Sequence, residues 1–164
     1  MQMLYTRHNV RVYRFILRLI KNPSLAEDLV SEVFLDVWRQ AEGFKAKSQV
    51  STWLFAIARY KALSALRRRS DDHLDDDELA MIEDPADNPE TLVEKEDRRA
   101  IIAHCLTQLS PAHREVLDLV YYHEKSVDEV AKIVGIAVNT VKTRMFYARN
   151  RMEKILKLAG VEAF

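Results

Sequence analysis

The spacing of apolar residues along the chain predicts helices from one end to the other. Apolar side chains recur every three or four residues, which is the period of an amphipathic helix, in seven stretches: 5–21, 22–41, 51–69, 90–108, 111–123, 126–134 and 138–158. No segment alternates apolar and polar residues for long enough to predict a strand. The pattern therefore predicts an all-α protein, with three helices before residue 70 and four from residue 90 onward.

Residues that favour helix ends support several of these boundaries. Pro23 is tolerated in the first turn of a helix, and Ser24 and Glu27 have the spacing of a capping box. Ser110 followed by Pro111 predicts the start of a later helix, because serine caps the free amides and proline needs no hydrogen-bond acceptor there.

The second predicted helix has a broad apolar face and one leucine on its opposite, polar side. A helical wheel predicts burial for eight residues: Leu25, Ala26, Leu29, Val30, Val33, Phe34, Val37 and Trp38. Leu35 lies in the middle of the polar face, close to Glu32 and Arg39. An apolar side chain surrounded by charges is typical of a docking point for another protein. Single exposed leucines are also common on protein surfaces, so both interpretations stand at this point.

A basic and polar segment joins the second and third helices. Residues 44–53 read FKAKSQVSTW, and the third helix continues with Arg59 and Lys61. Lysines can meet phosphates, small polar side chains can hydrogen-bond to base edges, and aromatic rings can stack on bases. This composition predicts contact with nucleic acid.

The aromatic and basic residues of the third helix also have structural interpretations. Trp53, Ile57 and Tyr60 share one helical face, which favours packing in the core. The arginines at 67–69 fit a helix end, where positive charge interacts favourably with the helix dipole.

The last two predicted helices have the order of a helix-turn-helix. Ser126 and Glu129 open a short helix, Gly135 interrupts it, and a long helix begins at Val138. The long helix is expected to bury a stripe of five residues: Val141, Met145, Ala148, Met152 and Ile155. The outward residues at its start suit the edges of bases in a major groove, and are Asn139, Thr140, Lys142, Thr143, Arg144, Phe146 and Tyr147. The alternative is a helical hairpin with an ordinary charged face.

The formal net charge of zero hides two basic blocks on either side of an acidic one. Residues 1–70 carry a balance of +8, residues 71–97 carry −12, and residues 98–164 carry +4. Basic blocks suit a polyanionic partner, whereas an acidic run cannot approach one closely. The segment 71–89 also contains two prolines, so we expect a flexible acidic linker. A contact role for Leu79, Met81 and Ile82 is the alternative.

The sequence contains few features typical of an enzyme, a metal-binding protein or a membrane-spanning protein. The chain lacks a P-loop, a nucleophile elbow and metal-ligand spacing, so no catalytic residue, metal or cofactor is expected. Cys105 is the single cysteine, and we expect a buried thiol rather than a ligand shared with His104. A lone cysteine fits the reducing cytoplasm. No apolar run reaches the ~20 residues needed to cross a bilayer.

Two ordered blocks of this sequence resemble regions of a known protein family. The first resembles region 2 of the extracytoplasmic-function sigma factors of the sigma-70 family, through 28–34 (DLVSEVF), Trp38, Phe44, 51–54 (STWL) and 57–59 (IAR). The second resembles region 4, through 109–111 (LSP), 114–117 (REVL), 126–131 (SVDEVA), 135–136 (GI) and 140–144 (TVKTR). A helix-turn-helix alone is shared with response regulators, but the ordered pair of blocks is far more specific.

The resemblance implies partners and roles for individual residues. It implies binding to core RNA polymerase, at the β′ clamp and the β flap, and to promoter DNA. Polymerase contacts are implied for Asp28, Leu29, Glu32, Leu35 and Arg39. Contacts with the −10 element are implied for Lys45, Lys47, Ser48, Gln49, Arg59 and Lys61. Contacts with the −35 element are implied for Asn139, Thr140, Lys142, Thr143, Arg144, Phe146 and Tyr147. Control by an anti-sigma factor is also implied.

The predicted organisation is two small helical domains joined by a linker. A three-helix region 2 domain occupies 1–70, the acidic linker occupies 71–92, and a four-helix region 4 domain with the helix-turn-helix occupies 93–164. The competing interpretation is a helix-turn-helix regulator that acts without polymerase. That interpretation explains residues 126–158 but neither the surface around Leu35 nor the polar loop.

Overall fold

The computed structural model describes residues 1–72 and 92–160, with the side chains of 1–71 and 98–160. Its regular structure in these ranges is helical, as predicted: α1 (Gln2–Ile20), α2 (Pro23–Gln40), α3 (Val50–Asp72), α4 (Leu92–Thr107), α5 (Pro111–Leu117), α6 (Val127–Val134) and α7 (Val138–Leu158). A short 3₁₀ turn, Ala41–Gly43, follows α2, and a π turn, Asp118–Tyr122, follows α5. The linker residues 73–91, with Leu79, Met81 and Ile82, lie outside the described ranges.

Contacts between Cα atoms divide the chain into two compact units. The first comprises Met1–Ala80 and Asp128–Ile136, and the second comprises Met81–Val127 and Ala137–Phe164. No helix in the described parts of either unit combines the length and apolarity needed to cross a membrane.

The core of the first unit lies where α1, α2 and α3 meet. Each of these helices packs against the other two. The rings of Phe15 and Phe55 lie at the centre, with centroids 5.0 Å apart, and Tyr5 meets Phe34 edge to face at 4.9 Å. The Thr52 hydroxyl of α3 donates a hydrogen bond of 2.9 Å to the Glu129 carboxylate, which belongs to the same unit. Full burial of several aromatic and branched side chains makes this packing the main source of stability in the unit.

Two aromatic residues expected in this core lie on the surface instead. The side chain of Trp38 is 66% exposed and that of Tyr60 is 68% exposed. At about 100° per residue, Trp38 lies at the edge of the buried face of α2, far from the line of Ala26 and Val33. Tyr60 does share a face with Trp53, but Leu54 and Ala58 show that α3 buries the opposite face. The prediction of burial was wrong for both rings.

The second unit builds its core between α4, α5 and α7. A cluster of buried residues links the three helices: Cys105, Leu109, Leu117, Ala148 and Ile155. Cys105 is a buried free thiol, as expected. The predicted stripe of α7 is also confirmed, with Met152 the one member that remains partly exposed.

Arg114 of α5 closes the C-terminal end of α4. Its Nε donates to the carbonyl oxygen of Leu106 at 3.0 Å, and its Nη2 donates to those of Thr107 and Leu109 at 3.1 Å each. The last carbonyl oxygens of a helix accept no hydrogen bond from within the helix. A charged donor at that end supplies the hydrogen bonds that would otherwise come from water. Arg114 thereby fixes the angle between α4 and α5.

The turn after α6 depends on the conformation of one glycine. Gly135 has a φ of +75°, and its amide donates to the Ala131 carbonyl at 2.9 Å while the amide of Ile136 donates to the same oxygen at 3.1 Å. This arrangement is a helix C-cap that favours glycine, because side chains with a Cβ are strained at positive φ. Ala137 is then extended and α7 begins at Val138, as predicted.

The start of α2 differs in detail from the predicted capping box. The side chain of Asn22, not that of Ser24, caps the helix: Asn22 Oδ1 accepts a hydrogen bond of 3.0 Å from the amide of Leu25. Pro23 then occupies the first helical position. The Ser110 cap of α5 is confirmed, since its hydroxyl accepts from the amide of His113 at 3.3 Å.

Replacing Asn22 by alanine is expected to lower the free energy of unfolding by about 1 kcal/mol, because the Leu25 amide loses its acceptor. Ser24→Ala is the matched control on the same turn and is expected to change stability by less than about 0.5 kcal/mol. Denaturant unfolding of both variants measures the difference. A larger loss for Ser24→Ala would show that the capping box, rather than Asn22, holds the helix start.

Candidate polymerase and promoter surfaces

One outward stripe of α2 combines charged residues with two exposed apolar side chains. Asp28, Glu32 and Arg39 are exposed along this stripe, and Leu35 between them is 41% exposed. Trp38 lies one turn further on, about 60° around the helix from Leu35. The sequence pattern predicted that Trp38 is buried. Its place on this exposed surface became visible only in the packed structure. Two neighbouring apolar side chains with charges around them form a stronger docking feature than a single leucine.

Leu29, which the resemblance placed among the polymerase contacts, belongs to the core. Its side chain is only 5% exposed, and it lies on the buried face of α2 with Val30 and Val33. A buried side chain cannot form a surface contact without unfolding its surroundings. The correction follows from the helical wheel itself, which puts Leu29 about 120° around α2 from Leu35 and on the apolar face.

Lys61 of α3 is engaged by the acidic residues of α2. Its Nζ lies 2.8 Å from the Asp36 carboxylate and 3.4 Å from that of Glu32, and its side chain is 17% exposed. The hydrogen bond to Asp36 holds the pKa of the Lys61 ammonium above its ordinary value. The resemblance placed Lys61 on the −10 element, but the structure gives it two carboxylates of α2 as partners. These ion pairs hold Lys61 against the charged stripe of α2, and its contact with the −10 element stays a prediction.

The loop between α2 and α3 is closed by a pair of stacked aromatic rings. The rings of Phe44 and Trp53 lie 4.7 Å apart with an angle of 25° between their planes. Residues 45–49 project between these two anchors, and Ala46 has a positive φ of 50°. Lys45, Lys47 and Gln49 are exposed, while Ser48 is half-buried. The structure thus gathers four of the six −10 candidates on one short loop.

The surface of α3 beside this loop is aromatic as well as basic. Trp53 and Ile57 are half-buried, and Tyr60 extends the same face outward into solvent. Arg59 is half-buried on the neighbouring side of the helix. Aromatic rings with cations nearby are suited to contact unpaired bases and their phosphates.

The first three turns of α7 present a polar and aromatic face. Asn139, Thr140, Lys142, Thr143, Phe146 and Tyr147 are exposed, and Arg144 is half-buried. The Thr143 hydroxyl donates to the carbonyl oxygen of Asn139 at 2.9 Å, which leaves its methyl group and its oxygen lone pairs toward a ligand. The rings of Phe146 and Tyr147 meet edge to face at 5.5 Å. Large exposed rings add nothing to the packing of the unit, so their position favours contact with a partner.

Metal ligation has no support among the side chains at 1–71 and 98–160, where no three His, Cys, Asp or Glu residues approach closely enough to hold an ion.

Comparisons with protein-family models match both halves of the chain. Residues 4–71 match sigma-70 region 2, and residues 99–152 match sigma-70 region 4. The first match includes the α2 stripe and the loop after it, and the second runs from within α4 into the second half of α7. These are the two blocks, in the same order, on which the sequence resemblance was based.

Characterised relatives and solved structures agree with this assignment. The chain is 32% identical over 166 residues to the extracytoplasmic-function RNA polymerase sigma factor SigL of Mycobacterium tuberculosis, covering 98% of this chain and 91% of that one. It is 30% identical to the sigma factor SigW of Bacillus subtilis, covering 90% and 83%. The sigma factor RpoE of Bartonella quintana, solved with the anti-sigma factor NepR, superposes with a TM-score of 0.76 at 25% identity, covering 95% and 96%.

Family models over both blocks and relatives at this identity, together with a matching all-helical fold, lead to one conclusion. The chain belongs to the extracytoplasmic-function sigma factors of the sigma-70 family, and its function is that of a transcription initiation factor.

Proposed function

We propose that the outward stripe of α2 is the surface through which this sigma factor binds core RNA polymerase, at the β′ clamp. The observation that carries the proposal is the exposed pair Leu35 and Trp38 within a line of charged residues. Apolar anchors at the centre of a polar rim are typical of interfaces in which a few residues provide most of the binding energy. Lys61 supports the surface from below through its ion pairs with Asp36 and Glu32.

The loop at residues 45–49 is proposed to capture an unpaired base of the −10 element. Its two exposed lysines can neutralise phosphates on either side, while Ser48 and Gln49 offer donors and acceptors to a base edge. The stack of Phe44 on Trp53 holds the ends of the loop together. Arg59 and the exposed ring of Tyr60 extend this surface along α3.

The first three turns of α7 are proposed to read the −35 element in the major groove. Thr143 and Tyr147 lie one turn apart on the exposed side, opposite the buried Val141 and Met145. Such a helix presents its N-terminal residues to base edges, and its lysines and arginines to guanine or phosphate. Asn139 and Phe146 complete the face.

The remaining proposals concern organisation and control. Residues 1–70 form the region 2 domain, 71–92 the acidic linker and 93–164 the region 4 domain, which also contacts the β flap. The factor acts in the cytoplasm, without enzymatic activity of its own. The Bartonella relative was solved in complex with an anti-sigma factor, and we expect that such a protein inhibits this chain by covering the same partner surfaces.

Replacing Leu35 by aspartate is expected to weaken binding to core polymerase by about 2 kcal/mol or more, roughly thirtyfold in Kd. The reason is that a charge would enter the apolar centre of the interface. Fluorescence titration of labelled protein with core enzyme measures the affinity, and circular dichroism checks the fold.

Val10→Asp is the matched control for this substitution. Val10 is an exposed apolar residue of α1, outside the α2 stripe, so its replacement should leave the Kd close to that of the wild type. Equal affinity for Leu35→Asp and wild type, with both folded, would place the polymerase interface elsewhere.

Replacing Gln49 by alanine is expected to relax base preference at one position of the −10 element, by about 1–3 kcal/mol for a lost base contact. Transcription in vitro from promoters randomised at −10, with core polymerase present, measures the preference. Gln40→Ala is the control, because this amide is exposed at the end of α2 before the loop begins. If both variants keep the wild-type sequence profile, the loop does not select a base through Gln49.

Replacing Thr143 or Tyr147 by alanine is expected to relax preference at one or two positions of the −35 element, by about 1–3 kcal/mol per lost base contact. Lys142→Ala should instead lower activity evenly across sequences and reduce the salt dependence. Transcription from promoters randomised at −35 separates the two kinds of effect.

Lys154→Ala provides the charge-matched control on the same helix. Lys154 is exposed about two turns beyond Tyr147 and about 120° around α7 from Lys142. Its loss should therefore change neither the −35 sequence preference nor the salt dependence of activity. Unchanged −35 profiles for both Thr143→Ala and Tyr147→Ala would remove α7 as the reading element.

A further inference from the structure

An exposed tyrosine and an exposed arginine form a cation–π pair within the second unit. The guanidinium carbon of Arg149, on α7, lies 5.6 Å from the ring centroid of Tyr121, on the π turn after α5. Tyr121 is 61% exposed, and Arg149 is also exposed. The exposed ring of Tyr121 contributes little to stability. Its contact with the guanidinium instead restricts the long, flexible side chain of Arg149 to fewer conformations.

Arg149 continues the reading face of α7 beyond the residues already assigned to it. Lys142, Phe146 and Arg149 follow one another at spacings of four and three, so they lie on one stripe of the helix. Arg149 is roughly 10 Å along the helix axis from Lys142, at about 1.5 Å per residue. When the start of a helix enters a major groove, cations further along the same stripe approach the phosphates at the groove edge.

The backbone beneath Tyr121 is held by several interactions. The amide of His123 donates to the Asp118 carbonyl at 3.1 Å, and the amide of Lys125 donates to the Leu119 carbonyl at 2.9 Å. The His123 ring is buried, with its Nε2 3.3 Å from the Asp118 carboxylate, and the ring of Tyr122 meets it edge to face at 4.9 Å. A π turn is uncommon and occurs frequently at functional positions. Here it gives Tyr121 a fixed base while its ring projects outward.

We propose that Arg149 is a phosphate-binding residue at the edge of the −35 site, and that Tyr121 is the positioning residue that holds its guanidinium toward the DNA backbone. This inference rests on the proposed reading role of α7. It adds a second contact without base specificity, besides Lys142, to a face on which Thr143 and Tyr147 are proposed to select bases. The ligand is a phosphate diester of duplex DNA, which the guanidinium can bind through two parallel hydrogen bonds.

The test uses the complete protein assembled with core polymerase, and a duplex promoter chosen by the wild-type holoenzyme from a library randomised at −35. Arg149→Gln is expected to lower affinity for all library sequences alike and to reduce the slope of log K against log salt by about 0.9, the value for one phosphate. Tyr121→Ala should weaken binding by about two- to fivefold, the range for an exposed cation–π contact. Tyr121→Phe keeps the ring and should restore wild-type binding.

A double-mutant comparison separates positioning from a merely structural effect. Tyr121→Ala should cost nothing further in the Arg149→Gln background, because the cation that it positions is already absent. The inference is overturned if Arg149→Gln keeps the wild-type salt slope, or if Tyr121→Ala has the same effect with and without Arg149. Thr143→Ala is measured in parallel. If Thr143→Ala changes the −35 sequence profile while Arg149→Gln behaves like the wild type, the phosphate contact of Arg149 is rejected but the reading role of α7 is not. An unchanged profile for Thr143→Ala points to failure of the reading role itself.

Discussion

Burial of one face of α2 between α1 and α3 is the interaction on which the first unit depends. The helix has a single apolar face, and α1 and α3 cover it from Ala26 to Val37. Because that face is used for folding, only the opposite side can carry charged and exposed apolar residues for a partner. Leu35 and Trp38 are therefore available for docking as a result of the same packing that fixes the helix. The pairing of Lys61 with Asp36 links this outer side to α3.

The second unit differs from the first because it includes a helix that is too short to be stable alone. α5 has only seven residues, too few to be stable without tertiary contacts. Its Arg114 binds three carbonyl oxygens around the end of α4, and its Leu117 joins the cluster around Cys105. This arrangement holds the α4–α5 corner against α7 and leaves exposed the start of α7, which is the surface proposed to read DNA. In α7 as well, the buried residues and the residues proposed to read DNA lie on opposite sides of the helix.

The spacing of apolar residues predicted the helices well, because it depends on one simple property. That property is which face of each helix is buried away from water. The stripe from Val141 to Ile155 and the exposed residues opposite it were predicted on this basis. The same reasoning failed for Trp38 and Tyr60, since the residue type indicates apolarity but not how far the neighbouring helices extend over it. The Leu29 assignment came from family resemblance and conflicted with the wheel, which was right.

Contacts that depend on distant parts of the chain could not be predicted from local patterns. The ion pairs of Lys61 join α3 to α2, and the stack of Phe44 on Trp53 joins the two ends of a loop. The Asn22 cap competed with a plausible capping box two residues later, and backbone geometry decided between them. The π turn interrupts a stretch whose apolar spacing indicated one continuous helix. Each of these features depends on backbone geometry or on residues brought together by folding, which the local spacing of apolar residues does not record.

The stack of Phe44 on Trp53 affects how strongly the loop at residues 45–49 would bind the base that it is proposed to capture. A free segment of this length samples many conformations, and each ordered residue costs roughly 1–2 kcal/mol in backbone entropy when a ligand fixes it. Because Phe44 and Trp53 are already in contact at 4.7 Å, part of that ordering is complete before DNA arrives. The ends of the loop are preorganised, so a larger fraction of each polar contact proposed between the loop and a base would appear as affinity.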